Sequence, residues 1–156
     1  MPEFDVYMDA KALHAAEKHV RHMAREGKEG MGLLIGNRYS WEGEEYVCVD
    51  EFITAKNQAS SASVQFAREA FPELAKKIKK RFSKKMVVGW IHSHPGYGCF
   101  LSSTDIGTQN AYFNESYHVA FVMDPTKQEN ERLLNRAFRV NEEGYYAVSF
   151  VVVEKM

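Results

Sequence analysis

His92 and His94 flank a single residue at the end of the apolar run Met86–Ile91, and Asp105 follows thirteen positions after the first histidine. In an extended chain, residues two apart point to the same face, so both imidazoles can address one metal ion. Pro95 ends the strand, and Gly96 and Gly98 let the chain turn back. Asp105 then arrives at the start of the next predicted helix, where its carboxylate completes a three-ligand set. Two histidines and one carboxylate, with a fourth position open to water, make the donor set of catalytic zinc. Structural zinc sites usually close all four positions, often with cysteines, and Cys48 and Cys99 supply no such pairs. A bare His-x-His is a weak signal. The combination sharpens it: a strand before, a proline and a glycine turn after, a hydroxyl at Ser102 and a carboxylate at Asp105.

The elements around this segment can be read from spacing. Asp9 caps a first helix and Gly27 stops it, with Leu13, Ala16, Val20 and Met23 recurring at helical intervals. Gly30 to Gly36 reads as a buried strand bounded by glycines, and Tyr46 to Ile53 as a second. In Val64 to Phe82, the residues Phe71, Leu74, Ile78 and Phe82 fit one helix face, with Pro72 starting or kinking it. Met86 to Ile91 is a third buried strand. Thr104 to Phe113 is a helix capped by Ser102 or Ser103. His118 to Met123 is a strand closed by Asp124–Pro125. Arg136 to Val140 and Tyr145 to Val153 are two strands joined by a turn at Asn141 to Gly144. This order predicts an α/β domain with a mixed sheet, helices on its faces and the metal set at the end of a central strand.

The His92–Asp105 segment resembles the JAMM metalloprotease motif of the MPN-domain family, His-x-His-Pro followed by a serine and an aspartate. The match is to the catalytic branch, which includes the proteasome-lid deubiquitinase and the signalosome deneddylase. VVGWIHSHPGYGCFLSSTD carries it, supported by Gly30–Gly36, by AFVMDP at Ala120–Pro125 and by AFRV at Ala137–Val140. The resemblance implies that His92, His94 and Asp105 hold one Zn2+ per chain. It implies that Ser102 helps stabilise a tetrahedral intermediate. Glu29, in Glu29-Gly30-Met31-Gly32, matches the family's catalytic glutamate. The implied activity is hydrolysis after the C-terminal glycine of ubiquitin or a ubiquitin-like modifier. The implied partners are such conjugates, the proteasome or another MPN-domain protein. A second job within the same enzyme class is processing of a small ubiquitin-like sulfur-carrier protein. A third reading is a weakly active interaction module, which the intact set of five residues weighs against. Without the long C-terminal helices of lid and signalosome subunits, a compact archaeal or bacterial relative is expected.

Composition bounds these readings. The 156 residues have a net charge of −1, with 20 basic against 21 acidic side chains, which argues against a nucleic-acid binder. One domain spanning 1–156 is expected at this length. With two cysteines, no signal peptide and no apolar run near the length of a membrane span, a cytoplasmic protein is expected. His14, His19, His22 and His118 have no ligand-like companions and are read as structural or solvated. Trp90, Cys48 and Cys99 are read as packing residues. Tyr97 and Phe100 either line a groove beside the site or pack beneath the turn. Seven cations fall within Lys76–Lys85; the plain reading is a solvated helix face and the sharper one a docking surface for an acidic patch.

Overall fold

A computed structural model describes residues 2–54, 73–74 and 76–154. The chain opens on a short strand, β1 (Val6–Asp9), which the apolar spacing did not reveal. Asp9 then caps α1 (Ala10–Arg25), its side chain accepting the Lys11 N–H at 2.8 Å. Among the described residues, four strands precede the metal-set segment's helix: β1, β2 (Met31–Trp41), β3 (Glu44–Ile53) and β4 (Met86–Ser93). Between β3 and β4, residues 73–74 and 76–81 are helical (α2), with Leu74 and Ile78 buried as the spacing predicts. Phe71 and Pro72 lie outside the described residues. After β4 come α3 (Ser103–Tyr112), β5 (Val119–Glu129), β6 (Arg132–Asn141), β7 (Gly144–Val148) and β8 (Phe150–Val153).

Among the described residues these strands form one mixed sheet in the order β7-β6-β5-β4-β2-β3-β1-β8. Strand β4 is central, antiparallel to β2 and parallel to β5. Its last six residues are all buried, because both faces of the sheet are covered.

Two expectations about strands need correcting. The segment after His118 does not end at Asp124–Pro125. It runs on as strand to Glu129, past a register shift against β6 between Asp124 and Gln128. The run Tyr145–Val153 is not one strand. It breaks at Ser149 into β7 and β8, which lie at opposite ends of the strand order. A one-residue link between the two ends requires the sheet to curl until its edges meet. Asp5 holds the junction: its carboxylate accepts from the Ser149 N–H and hydroxyl, both at 3.0 Å, and the Ser149 carbonyl accepts the Val6 N–H. The curl is visible in the core. Phe121 on β5 and Phe150 on β8 stand five strands apart, about 24 Å in a flat sheet, yet their ring centroids are 5.0 Å apart.

The inner face buries α1 through Ala12, Leu13, Ala16 and Val20 against Val88, Ile91, Phe121 and Met123. The outer face packs Met31, Leu33, Trp90, Ala120 and Val122 against Leu74 and Ile78 of α2 and Leu101 and Phe113 beside α3. The mixed sheet with helices on both faces is as expected. No helix among the described residues is long and apolar enough to cross a membrane.

Candidate metal centre

Register decides which side chains of β4 reach the site. Against β2, Leu34 pairs with Gly89 and Ile35 with Val87, so Val88 is the extra residue of a bulge. Beyond it, Trp90, His92 and His94 share the outer face, while Ile91 and Ser93 face α1. Trp90 lies flat on His92, centroids 4.5 Å apart with 13° between planes, and on its other side stacks with Phe113 at 5.4 Å. Its indole N–H donates to Gln109 Oε1 at 2.5 Å, and Gln109 Nε2 donates to the His118 carbonyl at 3.2 Å. Trp90 is thus core, as expected, and also the wall that fixes one imidazole plane.

Asp105 is brought in by the start of α3. Ser102 is the N-cap: its hydroxyl oxygen accepts the Asp105 N–H at 3.1 Å, and Asp105 Oδ2 accepts the Ser102 N–H at 2.9 Å. This reciprocal capping box fixes the carboxylate by the same bonds that start the helix. Asp105 Oδ2 lies 3.1 Å from His92 Nε2 and 3.2 Å from His94 Nε2, and the two nitrogens are 3.2 Å apart. All three residues are buried. Burial alone would raise the Asp105 carboxyl, but the hydrogen bonds from His92 and His94 outweigh it and hold the group well below the usual carboxylate range.

This triangle is compatible with one metal ion. Ligand atoms held about 2.0–2.1 Å from a tetrahedral centre lie about 3.3–3.4 Å from one another. The two imidazole nitrogens and the carboxylate oxygen therefore stand at the mutual spacing that one shared cation requires. His92 Nδ1 is buried with no hydrogen-bond partner among the described residues, so stacking holds this ring. His94 is held differently: its Nδ1 is 3.3 Å from the Gly98 carbonyl oxygen, and its ring lies 4.8 Å from that of Phe100.

Glu29 is half-buried just ahead of β2, two residues before Met31, the register partner of His92. Its charge is felt at His94, where burial lowers the imidazole pKa but Asp105 and then Glu29 raise it to a net upward shift. Ser102 sits at the rim.

Two buried groups beside the centre were missed by the sequence reading. Ser93, between the histidines, accepts the Gly30 N–H. Asp124 is fully buried and accepts from Gly96 N–H at 3.0 Å, Gly98 N–H at 2.9 Å, Thr126 N–H at 2.9 Å and the Thr126 hydroxyl at 2.6 Å. The available signal was Asp124-Pro125-Thr126, whose side chain bonds the backbone two residues on as an Asx turn does.

The remaining candidates separate clearly. Tyr97 is 71% exposed and does not pack beneath the turn, while Phe100 is 40% exposed against His94. His118 is structural, between the Val87 carbonyl and the Glu115 N–H. His14 and His22 are solvated, and His19 is half-buried against Phe52. Cys48 is half-buried, and Cys99 packs by the Leu134 carbonyl.

Residues 4–116 match the model of the family described as JAB1/Mov34/MPN/PAD-1 ubiquitin protease. The chain belongs to this family. Among curated MPN relatives, it is 33% identical over 141 residues to ubiquitin carboxyl-terminal hydrolase RPN11 of Saccharomyces cerevisiae, covering 89% of this chain and 44% of that protein. It is 34% identical over 137 residues to the 26S proteasome regulatory subunit RPN11 of Eremothecium gossypii, 86% of this chain and 42% of that one. COP9 signalosome complex subunit 5 of Dictyostelium discoideum is 35% identical over 135 residues, 82% of this chain and 39% of the subunit. The chain therefore spans less than half the length of these relatives. The solution structure of protein DSY2949 from Desulfitobacterium hafniense shares the fold, with a TM-score of 0.69 at 18% identity over 97% of this chain and 94% of that one. The MPN fold expected from the sequence, with the His92–His94–Asp105 cluster at the end of a central strand, is the fold observed.

Proposed function

We propose that this MPN domain is a zinc-dependent isopeptidase that hydrolyses the bond after the C-terminal glycine of ubiquitin or a ubiquitin-like modifier. The observation that carries the reading is the buried triangle of His92 Nε2, His94 Nε2 and Asp105 Oδ2, 3.1–3.2 Å on each side, with the Glu29 carboxylate close enough to act on His94. A zinc ion held by these three would supply a water that ionises near neutrality and would polarise the scissile carbonyl.

The chain's own residues do the rest. Glu29 takes the proton of the attacking water and delivers it to the leaving amine as general base and then general acid. The Ser102 oxygen is committed to the Asp105 N–H, which leaves the hydroxyl hydrogen to donate to the developing oxyanion. No covalent intermediate is required, and Cys99 is no candidate for one: burial pushes its thiol up to about 11. Exposed Phe100, against His94, offers an apolar wall for a thin glycine-ended tail. The names of the relatives, a ubiquitin carboxyl-terminal hydrolase and subunits of the proteasome and the signalosome, favour a ubiquitin-related partner.

The test is cleavage of a lysine-linked ubiquitin-like conjugate by purified protein, with and without a chelator and beside Glu29→Gln. Chelator-sensitive cleavage that is absent from Glu29→Gln supports both the reaction and the role of Glu29. Cleavage that survives either treatment overturns it.

A further inference from the structure

We propose that Gln109 is a positioning residue for the metal set: by holding the Trp90 indole it fixes the ring plane of His92 and the seat of α3, the helix that carries Asp105. The inference rests on reading His92, His94 and Asp105 as ligands.

Helix α3 lacks an apolar stripe. Its buried residues are Asp105, Thr108 and Gln109, all polar, so hydrophobic matching does not fix how it sits on the sheet. Thr108 is spent within the helix, its hydroxyl donating to the Thr104 carbonyl at 3.2 Å. Gln109 reaches across instead. It lies one turn beyond Asp105, on the same face of the helix. Its amide bonds the sheet at two points: Oε1 accepts the Trp90 indole N–H at 2.5 Å, and Nε2 donates to the His118 carbonyl, just ahead of β5, at 3.2 Å. An indole nitrogen only donates and a carbonyl only accepts. One orientation of the amide therefore satisfies both partners, and the flipped one satisfies neither.

The Trp90 end of this link matters at His92. A ligating imidazole is ordinarily oriented by a partner on its second nitrogen, but His92 Nδ1 is buried with no hydrogen-bond partner among the described residues. Its plane is set by the stack on Trp90, which is backed in turn by Phe113 lying 3° from parallel. Stacking alone tolerates a range of offsets, whereas a hydrogen bond at the edge of the indole selects one. Trp90, His92, Phe113 and Gln109 are all buried, so water does not stand in for the amide. One side chain thus ties the ligand on β4 to the ligand on α3.

Two variants of Gln109 separate this tether from packing. Gln109→Met fills the space and makes neither bond. Gln109→Glu keeps an acceptor for the indole N–H but sets its second oxygen against the His118 carbonyl. Both should lower the melting temperature, and only the first frees Trp90. In metal-free wild-type protein, 1H–13C spectra are expected to show the carbon-bound ring protons of His92 shifted upfield by the indole face. In Gln109→Met that shift collapses, and zinc affinity by chelator competition falls about 10- to 100-fold, the usual effect of losing an outer partner of a ligand. In Gln109→Glu both stay near wild type. Trp90→Phe keeps a ring against His92 and removes the N–H, so it reproduces the loss of zinc affinity and serves where Gln109→Met does not fold. Unchanged affinity in Trp90→Phe, or an unchanged affinity or His92 shift in folded Gln109→Met, overturns the proposal. Equal loss of affinity in Gln109→Met and Gln109→Glu also overturns it, by placing the effect in packing. A wild type that binds no zinc overturns the ligand reading itself, a result distinct from zinc binding that is indifferent to Gln109.

Discussion

Ser93 Oγ accepts the Gly30 N–H at 2.7 Å while the Ser93 N–H donates to the Gly30 carbonyl at 3.1 Å, so the residue between the two histidines is bonded twice to the residue after Glu29. The pair registers the proposed general base against the proposed ligands. Ser93 is fully buried on the α1 side, where water cannot replace it. Ser93→Ala leaves the Gly30 N–H without that acceptor, at a cost of about 1–3 kcal/mol. The expected outcome is a lower melting temperature, zinc content unchanged, and kcat reduced more than KM is raised, because the ligand triangle is intact and only the base is loosened. Ser93→Thr, which keeps the hydroxyl, should restore much of the rate. Equal loss in both variants would place the effect in packing.

Gly89 and Gly107 make opposite predictions for the same change to alanine. Gly89 pairs with Val119 in the parallel β4–β5 ladder, and a Cβ there would run into the Val119 carbonyl, a backbone group with no rotamer to escape by. Gly89→Ala should cost about 1–3 kcal/mol or more and weaken metal binding, since His92 and His94 ride on the displaced strand. Gly107 lies on the exposed side of α3, with nothing within 4 Å of an added Cβ. Gly107→Ala should stabilise by about 0.5–1 kcal/mol with no change in zinc affinity. Thermal melts and metal titration of the two variants check both.

Asp124 predicts a particular acid sensitivity. Burial opposes its ionisation, but the Thr126 hydroxyl and the N–H groups of Gly96, Thr126 and Gly98 hold the carboxyl down at about 2. An unfolded aspartate titrates near 3.9. A depressed native pKa contributes stability that is full above about pH 4 and is lost as pH falls toward 2. The contribution is about 2 kcal/mol. Urea unfolding should therefore show a gap between wild type and Asp124→Asn at pH 7 that narrows by about that amount as the pH approaches 2. A gap constant from pH 7 to 2 would mean the carboxylate charge is irrelevant to these four hydrogen bonds.

What the sequence disclosed and what it hid follow from the range of the signals. The clustering of His92, His94 and Asp105 was legible because they lie within one strand–turn–helix segment, where spacing constrains side-chain direction. Helix α1 was legible because its cap, stripe and stop are local. Strand β1 was hidden because its four residues acquire meaning only through parallel pairing with β3 and β8, which lie far off in the chain. The break at Ser149 was hidden for the same reason: its cause is Asp5, 144 positions away. Ser93 and Asp124 look ordinary in the sequence, since their partners are backbone groups that any residue carries.

The basic stretch before β4 is resolved by the structure into one paired cation and six others. Lys85 reaches Asp50 at 2.9 Å. Lys76, Lys77, Lys79, Lys80, Arg81 and Lys84 are exposed, and among the described residues none forms an ion pair. In a chain of net charge −1 this concentrates positive potential on α2 and the turn that follows it. If an acidic face of the conjugate docks there, Lys79→Glu/Lys80→Glu should raise KM about 2- to 30-fold at low salt, taking about 0.2–1 kcal/mol for each exposed pair. The change should leave kcat unaltered and fade as ionic strength rises and the Debye length shrinks. Steady-state kinetics across a salt series measures this. A KM that does not move at low salt identifies the stretch as a solvated helix face and nothing more.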